Sequence, residues 1–199
     1  LAQVIKQTVI QDSTRPVDIL HASHFRQLWF NDSTELQTLS GNAAVKQGQT
    51  LLEGDSIVIN KRLGIIEVFG HAYVNDADSV KANSEYLRYE SKIKMAFLKD
   101  NVKLTDGKAT VLTNNLEYNV ETGVGIYKEN GKVITGKTTL TSEQGTYYTS
   151  TKDIYFDGDV RMKDPQYNMT AKRLRYNTEQ RKAYFISVSY THLTLPTIL

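Results

Sequence analysis

Residues 87–89 of this 199-residue chain read Leu-Arg-Tyr, residues 116–118 read Leu-Glu-Tyr, and residues 174–176 read Leu-Arg-Tyr again. The first two copies are 29 residues apart, and the third follows after two further intervals of the same length. Residues two apart on a β-strand face the same side of the sheet. Each copy therefore predicts a half-buried strand, with Leu and Tyr on the apolar face and the charged residue on the solvent face.

The same 29-residue interval extends to either side of these copies. It places Val58 and Asn60 before the first copy, and Gly145 with Tyr147 between the second and the third. A second motif recurs at residues 41–43, 70–72, 100–102, 131–133 and 158–160, at intervals of 29, 30, 31 and 27 residues, in four cases beginning with Gly and once with Asp. Glycine at such a position is typical of a turn or a β-bulge, so we expect the chain to bend there.

The composition supports a β-rich, globular chain. Hydrophobic residues make up 40% and charged residues 23%, with 12 Tyr and only 3 Pro. Turn-rich segments punctuate strands of about 6 to 10 residues, and a repeat that cannot bury its own apolar face must pack on its neighbours. The sequence therefore predicts an all-β, elongated antiparallel meander of stacked repeats. Its net charge of +2 argues against a nucleic-acid partner.

These repeats resemble a known family. Residues 18–23, 41–43, 54–56, 69–72, 116–118 and 158–160 are similar to the OstA-like repeat of the LptA family of lipopolysaccharide transport proteins, and most of all to the longer OstA-like proteins of Bacteroidetes-type bacteria. The resemblance implies a β-jellyroll, or V-shaped β-taco, whose apolar groove holds the acyl chains of lipopolysaccharide. It also implies a non-enzymatic protein of the periplasm, associated in some members with the outer membrane. Its partners would be lipopolysaccharide and other Lpt-type β-jellyroll proteins, or further copies of itself joined end to end.

The apolar positions of the repeats are the candidate lipid-groove residues. They are Val58, Val68, Val74, Leu87, Tyr89, Val102, Leu104, Leu116, Tyr118, Val133, Tyr147, Phe156, Val160, Leu174 and Tyr176, with Ala72, Val124, Ile126, Met162, Met169 and Phe185 in a wider set. The alternative is that they only fill a closed core. Gly145 stands where the repeat expects Leu, which leaves the ligand contact of that position open.

Two other functions remain open at this stage. One is a carbohydrate-binding or carbohydrate-processing β-solenoid, although neither a shorter Gly or Asn ladder nor a placed carboxylate pair is visible. The other is an envelope scaffold of the same fold without a ligand.

Charged and metal-ligating residues give no catalytic or metal site. His21 and His24 would lie on opposite faces of a strand, and Asp153, Asp157, Asp159 and Asp164 lack the spacing of a calcium loop, so they are read as solvated turn charges. The densest basic cluster, residues 172–182, could meet lipopolysaccharide phosphates, but an ordinary charged outer face is the simpler interpretation. No cofactor is predicted.

Three segments divide the chain. Residues 1–16 are read as an N-terminal segment with a signal-peptide remnant, and residues 17–186 as the OstA-like repeat domain. Residues 188–197 match, codon for codon, a translated transposase-type sequencing adapter. We therefore expect residues 187–199 to be an artefact, and we expect the repeat domain to be truncated where they begin.

Overall fold

A computed structural model describes residues 16–30, 34–77 and 80–187, and these ranges contain fifteen β-strands. Their bounds are β1 Val17–His21, β2 His24–Phe30, β3 Thr34–Gln47, β4 Thr50–Asn60, β5 Ile65–Asp76, β6 Val80–Glu90, β7 Met95–Thr105, β8 Ala109–Asn119, β9 Val124–Tyr127, β10 Gly131–Thr135, β11 Thr138–Ser142, β12 Gln144–Tyr148, β13 Asp153–Lys163, β14 Asn168–Asn177 and β15 Lys182–Ser187. Across the same ranges there is no apolar helix of membrane-spanning length.

The strands form one antiparallel sheet that follows the order of the chain. From β3 to β8 each strand pairs with the next. At three places two short strands replace one long strand: β1 and β2 both pair with β3, β9 and β10 with β8, and β11 and β12 with β13. The all-β, antiparallel, repeat-built fold expected from the sequence is confirmed.

Every second long strand bends sharply near its middle. In β5, Gly70 and His71 have φ values of 69° and 47°, and in β7, Asp100 and Asn101 have φ values of 61° and 54°. Two residues there oppose one on a neighbouring strand, β6 for the bulge of β5 and β8 for that of β7, which is a β-bulge. Glycine adopts such φ values without strain, and Asp and Asn tolerate them better than most residues. The bend predicted for this motif is therefore present.

The aligned bulges divide the sheet into two arms. Arm 1 ends at the turns 61–64, 91–94, 120–123, 149–152 and 178–181, and arm 2 ends at the connections that follow residues 47, 76, 105, 135 and 163. In β6 the buried positions are Val80, Ala82 and Ser84 in arm 2, then Leu87 and Tyr89 in arm 1. The buried positions thus change from even to odd residue numbers at the bend, and this keeps the apolar face of both arms on the inside. One buried cluster of hydrophobic residues fills the space between the arms.

The strand faces predicted from the Leu-x-Tyr copies are also confirmed. Leu87, Leu116 and Leu174 are at most 3% exposed. The charged residue between Leu and Tyr is part-exposed in each copy, with side-chain exposures of 42% for Arg88, 37% for Glu117 and 38% for Arg175.

Three positions of the predicted groove face outward, and the prediction is corrected there. Ile57 and Ile59 hold the interior positions of β4, while Val58 between them is only part-buried. The step from β4 to β6 is 30 residues, as the interior pair Ile59 and Tyr89 shows, and a shift of one residue moves a side chain to the other face. Val124 and Ile126 also face outward. Burial alternates along β9, and its buried positions are Gly125 and Tyr127.

Packing explains why Gly145 occupies a position where the repeat expects Leu. A Cβ atom on Gly145 would lie 2.4 Å from the ring of Tyr127, and one on Gly131 would lie 2.3 Å from the same ring. The Tyr127 hydroxyl contacts Ser142 Oγ at 2.7 Å. Two glycines thus make room for one large buried ring. Gly131 begins β10 beside this ring and is not a bulge, so its place in the bend motif is corrected too; the left-handed residue there is Asn130.

Candidate functional site

The interior between the two arms collects nearly all of the predicted groove residues. Fourteen of the fifteen, all except Val58, are at most 5% exposed. Of the wider set, Ala72 and Met162 are buried, Met169 is part-buried, and Phe185 is 41% exposed on the terminal strand β15. The geometry gives a continuous apolar layer across the repeats. Contact of these side chains with a lipid stays a prediction.

The turns of arm 1 stack on one another in a ladder of hydrogen bonds. Each turn after the first donates a backbone N–H to a carbonyl oxygen of the preceding turn, in the pairs Ser91 to Gly64 at 2.9 Å, Val120 to Lys94 at 2.9 Å, Thr149 to Gly123 at 3.0 Å and Thr178 to Lys152 at 2.8 Å. The donors stand 29 residues apart, and the three hydroxyl residues among them also donate from the side chain to the same carbonyl. This second 29-residue series was readable in the sequence, but it was missed because three of its four members are polar, whereas the repeat was recognised from apolar positions.

The line where the turns of arm 1 meet the connections of arm 2 is a seam along the interior. Arm 1 contributes a row of four buried tyrosines to the seam, which we call the tyrosine row: Tyr89, Tyr118, Tyr147 and Tyr176. Arm 2 places an aspartate row there, Asp76, Asp106 and Asp164, with Thr135 at the equivalent position between the last two. Each phenol ring is buried while its hydroxyl reaches the polar seam, an arrangement to which tyrosine is well suited.

Asp106 is the most completely bonded member of the aspartate row, and its side chain is fully buried. Its Oδ2 accepts hydrogen bonds from the Tyr147 hydroxyl and from Lys152 Nζ, the latter at 2.8 Å. Its Oδ1 accepts from the backbone N–H groups of Lys108 at 3.0 Å and Ala109 at 2.9 Å. Because Tyr147 and Lys152 belong to arm 1, this single carboxylate joins the two arms. We call this place the sealed position.

Three further contacts lie at the seam toward its C-terminal end. Lys108 in arm 2 forms an ion pair with Glu179 in arm 1 at 2.6 Å. Thr138 donates to Asp164 at 2.6 Å, and Tyr176 also bonds to Thr138.

Two aspartates of the seam, Asp76 and Asp106, differ in acidity. Burial alone would raise the pKa of Asp106, but the hydrogen bonds from Lys152, Tyr147 and two backbone amides stabilise its charge and hold the pKa below its ordinary value. Burial raises the pKa of Asp76, and the hydrogen bond from Thr50, at 3.0 Å, only partly offsets this. Burial likewise raises the pKa of Tyr118 to about 12, so the tyrosine row is uncharged.

At the N-terminal end the seam contains a cavity of about 290 Å³. Pro16, Val17 and Gln47 line it on one side, and Ile59, Gly64 and Ile66 are among the residues that line it on the other. Ile59 occupies the interior position that the tyrosine row fills in the following repeats. The cavity thus lies where the phenol is missing, and we call it the open position.

The two histidines singled out from the sequence are exposed and lie on different strands. His21 Nδ1 contacts the carbonyl oxygen of Asn42 at 2.8 Å, and His24 lies on a different strand. Within the described ranges no three His, Cys, Asp or Glu side chains converge as they would around a metal ion.

Two aspartates of the acidic cluster pair with two arginines of the basic cluster. Arg173 bonds to Asp157 at 3.0 Å and Arg175 to Asp153 at 3.1 Å. Asp153 is only 7% exposed, so its interpretation as a solvated turn charge was wrong. Bonds within the protein thus engage two of the five basic residues in 172–182. Contact of this cluster with lipopolysaccharide phosphates stays a hypothesis.

Comparison with known proteins identifies the family. No curated protein sequence shows significant similarity to the chain. One solved structure that matches is that of LptH from Pseudomonas aeruginosa, described as the LptA-homologous periplasmic component of the lipopolysaccharide transport device. It is 12% identical, with 92% of this chain and 96% of that chain covered and a TM-score of 0.27. The family model of the OstA-like proteins matches residues 14–172. The chain therefore belongs to the OstA-like protein family.

Proposed function

We propose that this protein is a periplasmic lipopolysaccharide carrier that holds lipid acyl chains between its two arms and passes them on during outer-membrane assembly. Membership of the OstA-like family supports a transport role at the level of the family. The family resembles the LptA group of transport proteins, which is not enzymatic, so the proposal assigns the chain neither a catalytic residue nor a cofactor.

One observation carries the proposal, namely the continuous apolar layer between the arms. It runs through every repeat of the described chain as a single cluster, without an isolated core for each repeat. Burial of one CH₂ group is worth about 0.8 kcal/mol, so a fatty acyl chain that lies along such a layer gains affinity with its length. The side chains between the arms are already packed, so the lipid must separate the arms along the seam to reach them.

The two ends of the sheet support the proposed partners. At the N-terminal end, β2 exposes Phe25 and Trp29, and at the C-terminal end, β15 exposes Tyr184 and Ile186. Among the residues that the structure describes, each of these strands has one hydrogen-bonded neighbour only. Unpaired edge strands bind other chains by strand addition, which suits end-to-end assembly with similar β-jellyroll proteins or with further copies of this chain.

Photo-crosslinking tests the groove. A photoreactive amino acid at position 116 replaces the interior Leu116, and one at position 117 replaces the outward Glu117 as the matched control. With lipopolysaccharide present, we expect a strong crosslink from position 116 and a weak one from position 117. Equal yields from the two positions would contradict the proposal.

Sedimentation tests the assembly. The chain ending at residue 186 should associate in a concentration-dependent way through its exposed edges. A strict monomer at high concentration would show that the edges are self-protected and that assembly needs a separate partner.

A further inference from the structure

The first two turns of arm 1 differ from the later turns in charge and in polarity. They carry Lys61, Arg62, Lys92 and Lys94 and no acidic residue. Their tips also present two large aliphatic side chains to solvent, Leu63 at 46% and Ile93 at 54% exposure. The equivalent tip residues of the later turns, 121–122, 150–151 and 179–180, are all polar or acidic. The beginning of the seam is therefore both cationic and apolar.

Most of these cationic side chains form no ion pair with a described carboxylate. Lys61 pairs with Glu35 at 3.0 Å, whereas Lys92 Nζ donates to the backbone oxygen of Arg62 at 3.0 Å. Within the described part of the chain no carboxylate pairs with Arg62, Lys92 or Lys94. Positive charge is thus left available at the surface.

These turns border the cavity of the open position. Lys61, Gly64 and Ser91 belong to its lining. A Cβ atom on Gly64 would lie 3.3 Å from Cγ and 3.5 Å from Cε of Lys92, so the Lys92 stem runs over the rim of the cavity. A cavity with a mostly apolar lining, two exposed aliphatic tips and three cations without a carboxylate partner among the described residues therefore occur at two adjacent turns.

We propose that the open position is a binding site for an anionic amphiphile, with one alkyl chain in the cavity beside Ile59 and the acidic head group on Arg62, Lys92 and Lys94. The inference rests on the proposed lipid-carrier function and gives it a place of entry. The cavity removes the end of an alkyl chain from water, and Leu63 and Ile93 flank the chain where it leaves the cavity. Cationic side chains with aliphatic stems suit the boundary between an acyl region and a charged head group. The seam opens from this end because no phenol–carboxylate bond has to be broken there first.

The test uses the full chain and three probes at concentrations below their micelle thresholds. Dodecyl phosphate has both tail and charge, dodecyl maltoside has the same tail without charge, and inorganic phosphate has the charge without a tail. Calorimetric titration should show at least tenfold tighter binding of dodecyl phosphate than of either other probe. Equal binding of the two dodecyl compounds, or no binding of dodecyl phosphate, would overturn the proposal.

Two variants fill the cavity from opposite sides. Ile59→Tyr introduces the residue that the later repeats use, and Val17→Phe fills the same space from β1. Each should weaken the binding of dodecyl phosphate at least tenfold, while thermal unfolding verifies that each variant is folded. Unchanged binding by both folded variants would place the ligand elsewhere and contradict the inference.

The charge requirement is tested with a matched pair of double variants. Arg62→Gln with Lys92→Gln should reduce the binding of dodecyl phosphate to the level of dodecyl maltoside. Lys103→Gln with Lys137→Gln removes two exposed cations from arm 2 and should leave binding unchanged. If both double variants lose the same affinity for dodecyl phosphate, the net charge of the protein explains the loss. That result would overturn the assigned site.

Crosslinking from position 116 to lipopolysaccharide separates this inference from the carrier function. If both are right, Ile59→Tyr lowers the crosslink yield several-fold. If the carrier function holds and the entry site is wrong, the yield is the same with and without Ile59→Tyr. If the carrier function itself is wrong, position 116 gives no crosslink above that from position 117 even in the unaltered chain.

Discussion

The sealed position and the open position occupy equivalent places in two repeats, yet they have opposite character. At the sealed position, Tyr147 and Lys152 of one arm meet the buried carboxylate of Asp106 of the other. At the open position, Ile59 takes the place of the tyrosine, and a cavity of about 290 Å³ remains. Both keep the interior apolar. The difference shows that two properties vary independently from repeat to repeat. One is the apolar filling of the interior, and the other is the set of polar bonds that joins the two arms.

The largest effect should come from removing the carboxylate of the sealed position. Asp106→Ala leaves the Lys152 charge, the Tyr147 hydroxyl and two backbone N–H groups without their acceptor. Loss of one partner of a buried ion pair costs about 3–5 kcal/mol, and we expect a destabilisation in that range. Urea unfolding measures it. Asp100→Asn, on an exposed bulge, is the control and should change the free energy of unfolding by less than about 0.5 kcal/mol.

The next effect concerns packing beside the sealed position. Gly145→Leu restores the residue that the repeat pattern expects, but it collides with the ring of Tyr127. Overpacking of this kind costs typically about 1–3 kcal/mol, and we expect a value near the upper end. In the Tyr127→Leu background the same change should cost much less, because the ring is gone. Equal costs in both backgrounds would refute the volume exchange between these residues.

Tyr147→Phe removes one hydrogen bond across the seam and keeps the ring. Because Lys152 and two backbone amides still satisfy Asp106, we expect a loss of about 1 kcal/mol of unfolding free energy. The deuterium exchange of the amides in the turns 106–108 and 149–152 should increase at the same time. Tyr155→Phe, on the outer face, should leave both quantities unchanged.

The smallest effect distinguishes the two aspartates by pH. The pKa of Asp106 is lowered on folding, so its stabilisation is present above the pKa of the unfolded chain and is lost as the pH falls through the folded value. The pKa of Asp76 is raised, so its favourable contribution is complete at low pH and is lost as the pH rises through the folded value.

Asp76→Asn should therefore stabilise the protein at neutral pH, by at most about 0.5 kcal/mol, and the gain should vanish below about pH 4. Asp106→Asn should destabilise at neutral pH, with a penalty that shrinks on acidification. Unfolding curves from pH 3 to pH 8 provide the test. Parallel pH dependence of the two variants would show that the aspartates of the seam are equivalent.

Much of the strand pattern was predictable, since a period of two along a strand needs only local information. Leu87 and Tyr89 face inward as the alternation requires, and the bulges lie where Gly or Asp recurs. Val58 was misplaced because a repeat of constant length cannot show one inserted residue. That insertion changes the face of every side chain in the strand, and only the pairing of Ile59 with Ile66 across β4 and β5 reveals the correct register.

The seam was not predicted, although all of its residues are visible in the sequence. Asp106 reads as a turn residue, and Tyr147 lies 41 positions further along the chain. Their contact depends on how far the sheet bends at its bulges and on how the arms are offset when they meet. Neither quantity is encoded in a local pattern.

The sequence by itself determined the class of fold, the 29-residue repeat, the inward position of the Leu and Tyr side chains and the similarity to the OstA-like proteins, because each of these depends on residue type and spacing along the chain. Only the tertiary structure decided that a tyrosine row meets an aspartate row, that Tyr127 requires Gly145, and that the missing phenol at Ile59 leaves a cavity beside two cationic turns. These features arise between residues that are distant in the chain, and their energies come from burial and from hydrogen bonds that form only when the two arms close on each other.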